Sequence, residues 1–470
     1  MLTQRMQEAH SLSDTQRALL DRYLRGVGFP APETIGRRPP GSIAPLSAAQ
    51  EELYRRELRV PNIPPLYNEC VNLRMLGPLD VVALERAFNE IIKRHEAWRT
   101  TFETEAGQSA QIVHPFMPVQ LPVVDLQRMP DAEREAAALR LISEDVRRPF
   151  DLRCGPLLRP RLVRISETEH RLFLTAHQIV LDGVSAFQLF PSELAAFYKG
   201  LLARKSVTLP ELQVQCADFA FWQREWLSAT AAKQVNYWRK QLGSDLPVLS
   251  WPVKPWPVTR TFRGCIQNFS FPSLLSDRVK DLSRRLNTTL FLVLLTGLAT
   301  VLHRYTNQEE IVLGTLSPSG RKRSEVMGLL GYFLNPVALK LSFHDRPTFR
   351  GLSSQAQTVL LEAMSNDDVP IERLAREFKV DDSSPSPFFT AVISLQPPMP
   401  NLDLAWSVTT MDVDSGGSPW DFYLAFIDTP HGLIGRAQFN PDLFDTKIIG
   451  RALEDLQDVL GSASQEAFNV

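Results

Sequence analysis

Seven consecutive residues, His177-Gln178-Ile179-Val180-Leu181-Asp182-Gly183, bring an imidazole, a primary amide, a carboxylate and a glycine into one short span. An imidazole exchanges a proton near neutral pH, whereas the amide beside it cannot accept one. The Gln178 amide can instead donate a hydrogen bond to an oxygen that gains negative charge, a contribution of the oxyanion-hole kind. Gly183 lets the backbone turn closely, so its N–H could face a reacting carbonyl. The set suits polar chemistry at a carbonyl but offers no proton acceptor at position 178. His177 has two readings, a histidine satisfied within the core or a participant in that chemistry, and the first is favoured.

Holding such a set requires a strand, a turn and a helix in that order. Residues 157–165 and 171–176 read as two strands joined by the polar stretch 166–170, and the second delivers His177 at its end. Asp182 and Gly183 make the turn, and a helical pattern runs from Val184 to Tyr198, with Pro191 expected to break or kink it. Upstream, Ser47 can cap a helix running through Tyr54, and residues 68–76 are extended. A long helix follows Gly77-Pro78, its apolar face formed by Leu84, Phe88, Ile91, Ile92 and His95. In the second half, residues 231–242 are helical, and 247–257 form a proline-rich connection. Residues 289–305 form a buried helix, strands are expected at 311–315, 337–341, 391–395 and 423–426, and a helix at 446–460 closes the chain. This mixture in both halves points to two α/β lobes of similar build. Ahead of them, Ser13 and Gln16 make a capping box for a helix over 13–25, and the proline-rich stretch 29–45 reads as an extended polar linker. The expected division is 1–44 as helix and linker, a possible docking element; 45–225 as the N-terminal lobe; and 226–470 as the C-terminal lobe.

Length and composition set outer bounds. A chain of 470 residues is longer than one hydrophobic core usually serves. A formal net charge of −2 with 22% charged residues leaves no electrostatic footprint for nucleic acid. Cys70, Cys154, Cys216 and Cys265 lie far apart without metal-ligand spacing, and read as free, buried thiols in a reducing cytoplasm. No run of eighteen apolar residues and no secretory leader is visible, so neither membrane association nor export is expected. The chain also lacks a P-loop and a dinucleotide fingerprint.

Seven segments, in order, resemble the landmarks of nonribosomal peptide synthetase condensation domains, whose fold is that of chloramphenicol acetyltransferase. They are Leu46-Ser47-Ala48-Ala49-Gln50; the R-H-E-A-W-R-T-T-F stretch from Arg94 to Phe102; His177 to Gly183; and Ala217-Asp218-Phe219-Ala220-Phe221-Trp222-Gln223, preceded by Cys216 where tyrosine is usual. The others are Gly331-Tyr332-Phe333-Leu334-Asn335-Pro336, Asn366-Asp367-Asp368-Val369-Pro370-Ile371-Glu372, and 382–388 with Pro385 in place of arginine. The resemblance runs from Pro45 to Gly461. It implies two lobes in a V around a central substrate tunnel, where thioesters on the phosphopantetheine arms of donor and acceptor carrier proteins meet and an amide forms. It also implies a monomer, working beside neighbouring synthetase or synthase modules and binding no cofactor or metal of its own.

The family motif reads H-H-x-x-x-D-G, and Gln178 stands at its second histidine, the residue credited with handling the amine proton or the tetrahedral intermediate. A positioned base contributes about 10²- to 10⁴-fold, while holding two reactants together contributes up to ~7–11 kcal/mol without any ionisable group. His177 matches a structural histidine. Asp182 matches an aspartate that pairs with an arginine of the second lobe, for which Arg321 is the candidate, the alternative being a simple turn carboxylate. Asn335, His95 and Ser185 are assigned to the tunnel or its support, although Asn335 could equally tie down backbone at a strand end. Two functional classes stay open: amide formation at an altered centre, or a degenerate domain that binds a carrier protein or recruits a tailoring enzyme. Ester formation or dehydration is a third course.

Overall fold

The computed structural model describes residues 34–59, 64–105, 107–243, 249–251, 261–378, 388–396, 398–408 and 413–466. The helix expected at 13–25, most of the proline-rich stretch 247–257 and nearly all of the landmark at 382–388 lie outside them. The first half comprises β1 (Ala44–Pro45), α1 (Ala48–Arg59), β2 (Asn68–Leu76), α2 (Val81–Arg94), β3 (Thr100–Glu105), β4 (Gln108–Val113), β5 (Val123–Asp125), α3 (Asp131–Val146), β6 (Leu158–Arg164), β7 (Glu169–His177) and α4 (Phe190–Leu202). Helix α5 (Cys216–Leu242) leads into β8 (Cys265–Ser270), α6 (Ser273–Arg285), α7 (Leu290–Thr306), β9 (Glu310–Ser317), β10 (Asn335–Ser342), α8 (Phe349–Met364), α9 (Ile371–Phe378), β11 (Ala391–Gln396), β12 (Trp406–Val408), β13 (Phe422–Thr429), β14 (Gly432–Phe439) and α10 (Thr446–Glu466).

Two chloramphenicol-acetyltransferase-like α/β lobes meet in a V. The sheet of the first has the order β12-β2-β7-β6-β5, and that of the second β10-β9-β11-β13-β14-β8. Strand β7 is buried along nearly its whole length, as befits a strand flanked on both sides and covered on both faces. Its partner β2 pairs with it in a single register from Asn68 opposite His177 to Leu76 opposite Glu169. Helix α2 begins at Asp80, whose carboxylate accepts from Ala83 N at 2.9 Å, and buries Leu84, Phe88, Ile91 and Ile92 on one face. In the second lobe Thr289 caps α7, which is buried along most of its length among α6, α8, α10 and the sheet. No single described helix is long and apolar enough to cross a membrane.

The lobes exchange chain in three places. Helix α5 is continuous through residues 225 and 226, so the expected division falls inside one helix, and the fourth landmark is its first two turns. Val326, Leu329, Leu330 and Phe333, between β9 and β10, are buried in the core of the first lobe. Strand β12, reached only after β11, adds to the edge of the first sheet with Trp406 opposite Met75. Its tryptophan ring lies 5.3 Å from that of Tyr198 on α4.

Several expectations need correcting. Within the expected linker, the described residues 34–44 are not free: Ile35 is buried, and Arg38 reaches Asp218 at 2.8 Å and Glu96 at 3.3 Å. Those contacts link three distant segments, which composition alone could not reveal. Pro191 does not break its helix. Residues Ser185–Leu189 widen into a π-turn, and the proline falls in the first turn of the α-helix that follows, where its missing N–H costs least. Of the four cysteines, Cys216 is buried, Cys70 and Cys265 are half-buried, and Cys154 is exposed.

Candidate active site

The turn after β7 is held by hydrogen bonds that use up most of its polar groups. Gln178 N donates to Tyr67 O at 2.7 Å, and His177 N donates to Leu157 O at 3.0 Å. The His177 ring is buried between Tyr67 and Phe150, and its Nδ1 accepts from Ile179 N at 3.2 Å, capping the 3₁₀ turn Gln178–Val180. A ring whose Nδ1 accepts carries its proton on Nε2, and that atom is buried, 3.9 Å from Glu57 Oε2. The imidazole does not line the cavity described below, which fits the core reading, although only one of its two nitrogens is satisfied by a hydrogen bond.

Asp182 is no simple turn carboxylate. Arg321 clasps it with two parallel bonds, Nε to Oδ2 at 2.9 Å and Nη2 to Oδ1 at 2.8 Å, and both side chains are almost wholly buried. Oδ1 also accepts from Ser185 N at 2.8 Å and Oδ2 from Phe333 N at 3.3 Å. The remaining guanidinium hydrogens go to Ser185 Oγ at 2.8 Å and Leu329 O at 3.0 Å. Every charge is met, the condition under which a buried pair is tolerable. Ser185 supports this node and does not line the cavity: its Oγ also donates to Gly331 O at 3.1 Å and accepts from Gly331 N at 3.0 Å.

His95 likewise lies off the cavity. It ends α2, its Nδ1 accepts from Leu330 N at 3.2 Å, and its Nε2 meets Glu193 Oε2 at 2.8 Å. Arg94 binds the other oxygen of Glu193 at 3.0 Å. Glu193 thus organises the Arg94-His95 landmark, and nothing in its helical sequence context marked it. Asn335 combines the two roles left open for it. Its Nδ2 donates to Asp367 O at 2.6 Å and Val369 O at 2.9 Å, while its side lines the cavity. The same loop is cradled by α5, where Trp238 Nε1 donates to Asn366 O at 2.7 Å and Gln234 Oε1 accepts from Asp368 N and Val369 N at 3.1 Å each.

Between the lobes lies a cavity of about 200 Å³. Gln178, Asp182 and Gly183 line it from the first lobe, and Asn335, Tyr423 and Arg436 from the second. Gln178 is half-buried there. Glu69 and Cys70, from the start of β2, also face the cavity, as does the ion-paired cluster of Arg56, Glu52 and Glu372. Burial pushes the Glu69 carboxyl above its usual range, with the charge of Arg436 opposing, and burial pushes the Cys70 and Cys216 thiols up as well. Neither thiol is therefore a ready nucleophile. Among the described residues no cluster of histidine, cysteine or carboxylate side chains could hold a metal ion. The sequence reading missed Glu69, Arg436 and the Arg56 cluster, since single charged residues in strands and helices give no signal until the fold turns them inward.

A buried aspartate–arginine clasp beneath an interlobe cavity, on a two-lobed acetyltransferase-like fold, defines the class, and the wider comparison agrees. The Condensation domain family model matches residues 42–467, and the chain belongs to that family. It is 36% identical over 428 residues to one of the linear gramicidin synthase proteins of Brevibacillus parabrevis, a match that covers 88% of the chain but 5% of that protein. It is 33% identical over 454 residues to phosphinothricin tripeptide synthetase PhsC of Streptomyces viridochromogenes, covering 95% of the chain and 42% of that protein. The chain thus spans less than half the length of either relative. Among solved structures, the first condensation domain of the CDA synthetase superposes with a TM-score of 0.80 at 19% identity, covering 90% of the chain and 96% of that domain. The X-domain from teicoplanin biosynthesis superposes with a TM-score of 0.78 at 24% identity, covering 92% and 98%. At such identities these two likenesses concern the fold.

Proposed function

We propose that this chain is the condensation domain of a nonribosomal peptide or hybrid polyketide–peptide assembly line, joining an acyl thioester on a donor carrier protein to the amine of an acceptor on a second carrier. The observation that carries this reading is convergence. Gln178, Asp182 and Gly183 of one lobe and Asn335 of the other line a single open cavity, above a fully satisfied Asp182–Arg321 clasp.

The two phosphopantetheine arms supply the thioester and the tethered amine. The protein holds them at near-attack distance, worth up to ~7–11 kcal/mol, and Gln178 offers its amide N–H to the oxygen of the tetrahedral intermediate. The X-domain of teicoplanin biosynthesis, known in complex with OxyB, suggests a second reading in which this domain recruits a tailoring enzyme. Gln178 is the observation in its favour, because the amide cannot take the amine proton.

Intact-protein mass spectrometry separates the two readings. A donor acyl-carrier and an acceptor aminoacyl-carrier from the neighbouring modules are incubated with wild type and with Gln178→Ala. Condensed product on the acceptor carrier, reduced in the variant, supports amide formation. Carrier binding without product supports recruitment, and an ester or dehydrated product would mark altered chemistry.

A further inference from the structure

Amide formation requires the acceptor amine to lose a proton, and Gln178 cannot take it. We infer that Glu69 is the proton acceptor of this domain, standing across from Gln178 in the same cavity. The inference rests on the function proposed above.

The geometry follows from the register of β2 and β7. Glu69 pairs with Ala176 and Asn68 with His177, the last residue of β7, and Gln178 opens the turn immediately beyond, where its N–H still bonds to Tyr67 O at 2.7 Å. The end of the ladder thus brings Glu69 and Gln178 to the same end of the sheet, at the mouth of the cavity that both line. Both side chains line the cavity, together with Gly183. Few carboxylates line this cavity, and most of the others are committed. Asp182 is neutralised by Arg321, and Glu52 and Glu372 by Arg56. Among the described residues no hydrogen bond or ion pair holds the Glu69 carboxylate. The charged and titratable groups that act on it are Arg436 of β14, Tyr423 of β13 and its neighbour Cys70. Arg436 is itself buried with Nε unpartnered, so it faces Glu69 as a distant positive charge and not as a clamp. Burial raises the basicity of the carboxylate towards the working pH, as a general base requires.

The step balances as follows. The amine nitrogen attacks the thioester carbonyl carbon and the N–C bond forms. Its proton passes to Glu69, the C–S bond breaks, and the departing thiolate takes the proton back from Glu69, which regenerates the carboxylate.

The test uses the carrier assay above with initial rates as a function of pH, for wild type, Glu69→Gln, Glu69→Asp, Gln178→His and the double variant Glu69→Gln/Gln178→His. Glu69→Gln should lower the rate by about 10²- to 10⁴-fold and flatten the acid limb of the wild-type profile, while Glu69→Asp retains part of the rate. An imidazole placed at 178 should restore the Glu69→Gln variant, which a merely structural role for Glu69 would not allow. Unchanged rates in Glu69→Gln, or a fall in the double variant equal to that in the single one, would overturn the inference and leave the proposed function standing. A wild type that binds both carriers and forms no product overturns both. Circular dichroism and carrier binding distinguish a loss of chemistry from a loss of fold.

Discussion

Asp182 and Arg321 lie 139 residues apart in sequence, yet their side chains meet in two parallel hydrogen bonds of 2.9 and 2.8 Å, with neither charge open to solvent. The first lobe contributes the carboxylate and the second the guanidinium. The turn that presents Gln178 and Gly183 is therefore fastened from the opposite lobe, and its shape depends on their docking.

Removing one partner leaves the other charged and buried. Arg321→Ala or Asp182→Ala should each cost about 3–5 kcal/mol of stability, measured by urea unfolding. The double variant should cost clearly less than the sum, since the second deletion removes the charge that the first one orphaned.

Gly331 closes the turn that receives Ser185 Oγ. A Cβ there would lie 2.5 Å from Cys216 Sγ and 2.9 Å from the Phe333 ring. Gly331→Ala should destabilise by about 1–3 kcal/mol through overpacking, with partial recovery on adding Cys216→Ala, both read from thermal melts.

Trp406 anchors β12 on the edge of the first sheet. Trp406→Ala should cost about 3–5 kcal/mol. Hydrogen exchange should quicken at Leu76, whose N–H bonds to Ala405 O at 2.9 Å, before it does at the paired residues of β7.

The pH dependence of stability carries the sign of Glu69. Its folded pKa is raised by burial, against the pull of Arg436. Its contribution is thus complete below the unfolded carboxyl pKa and is lost as pH rises through the folded value. Glu69→Gln should remove that part of the slope, so the variant gains on the wild type across that window in denaturant titrations at stepped pH. Arg436→Met should extend the window upwards, since it removes the charge that opposes the rise of the folded pKa.

The elements and the clasp were readable in the sequence to different depths for physical reasons. Strand β2, helix α7 and the order of landmarks were visible because periodicity and caps are local. Arg321 could be named as the partner of Asp182 because the resemblance supplied the pairing. His95 was expected at the tunnel wall because its position in an apolar stripe says that it is buried but not what it touches, and Glu193 and Leu330 come from remote segments. The continuity of α5 escapes the sequence reading, which sets the lobe boundary at 225/226 and a helix only from residue 231, although no breaker lies between the landmark at 217–223 and that helix. Glu69 gave no signal at all: a lone carboxylate near the start of a strand acquires meaning only from the register that sets it opposite Ala176.

Helix α5, at 27 residues, is a rod of about 40 Å, and with the buried segment around Leu330 and the strand at Trp406 it laces the two halves together at three separated points. A hinge that swung open like a clamshell would have to shear all three at once. Under the proposed function, cargo would then reach the cavity as a slender arm entering between lobes that stay laced. Selectivity would then be exercised by gauge at that entrance more than by wide opening and closing of the halves.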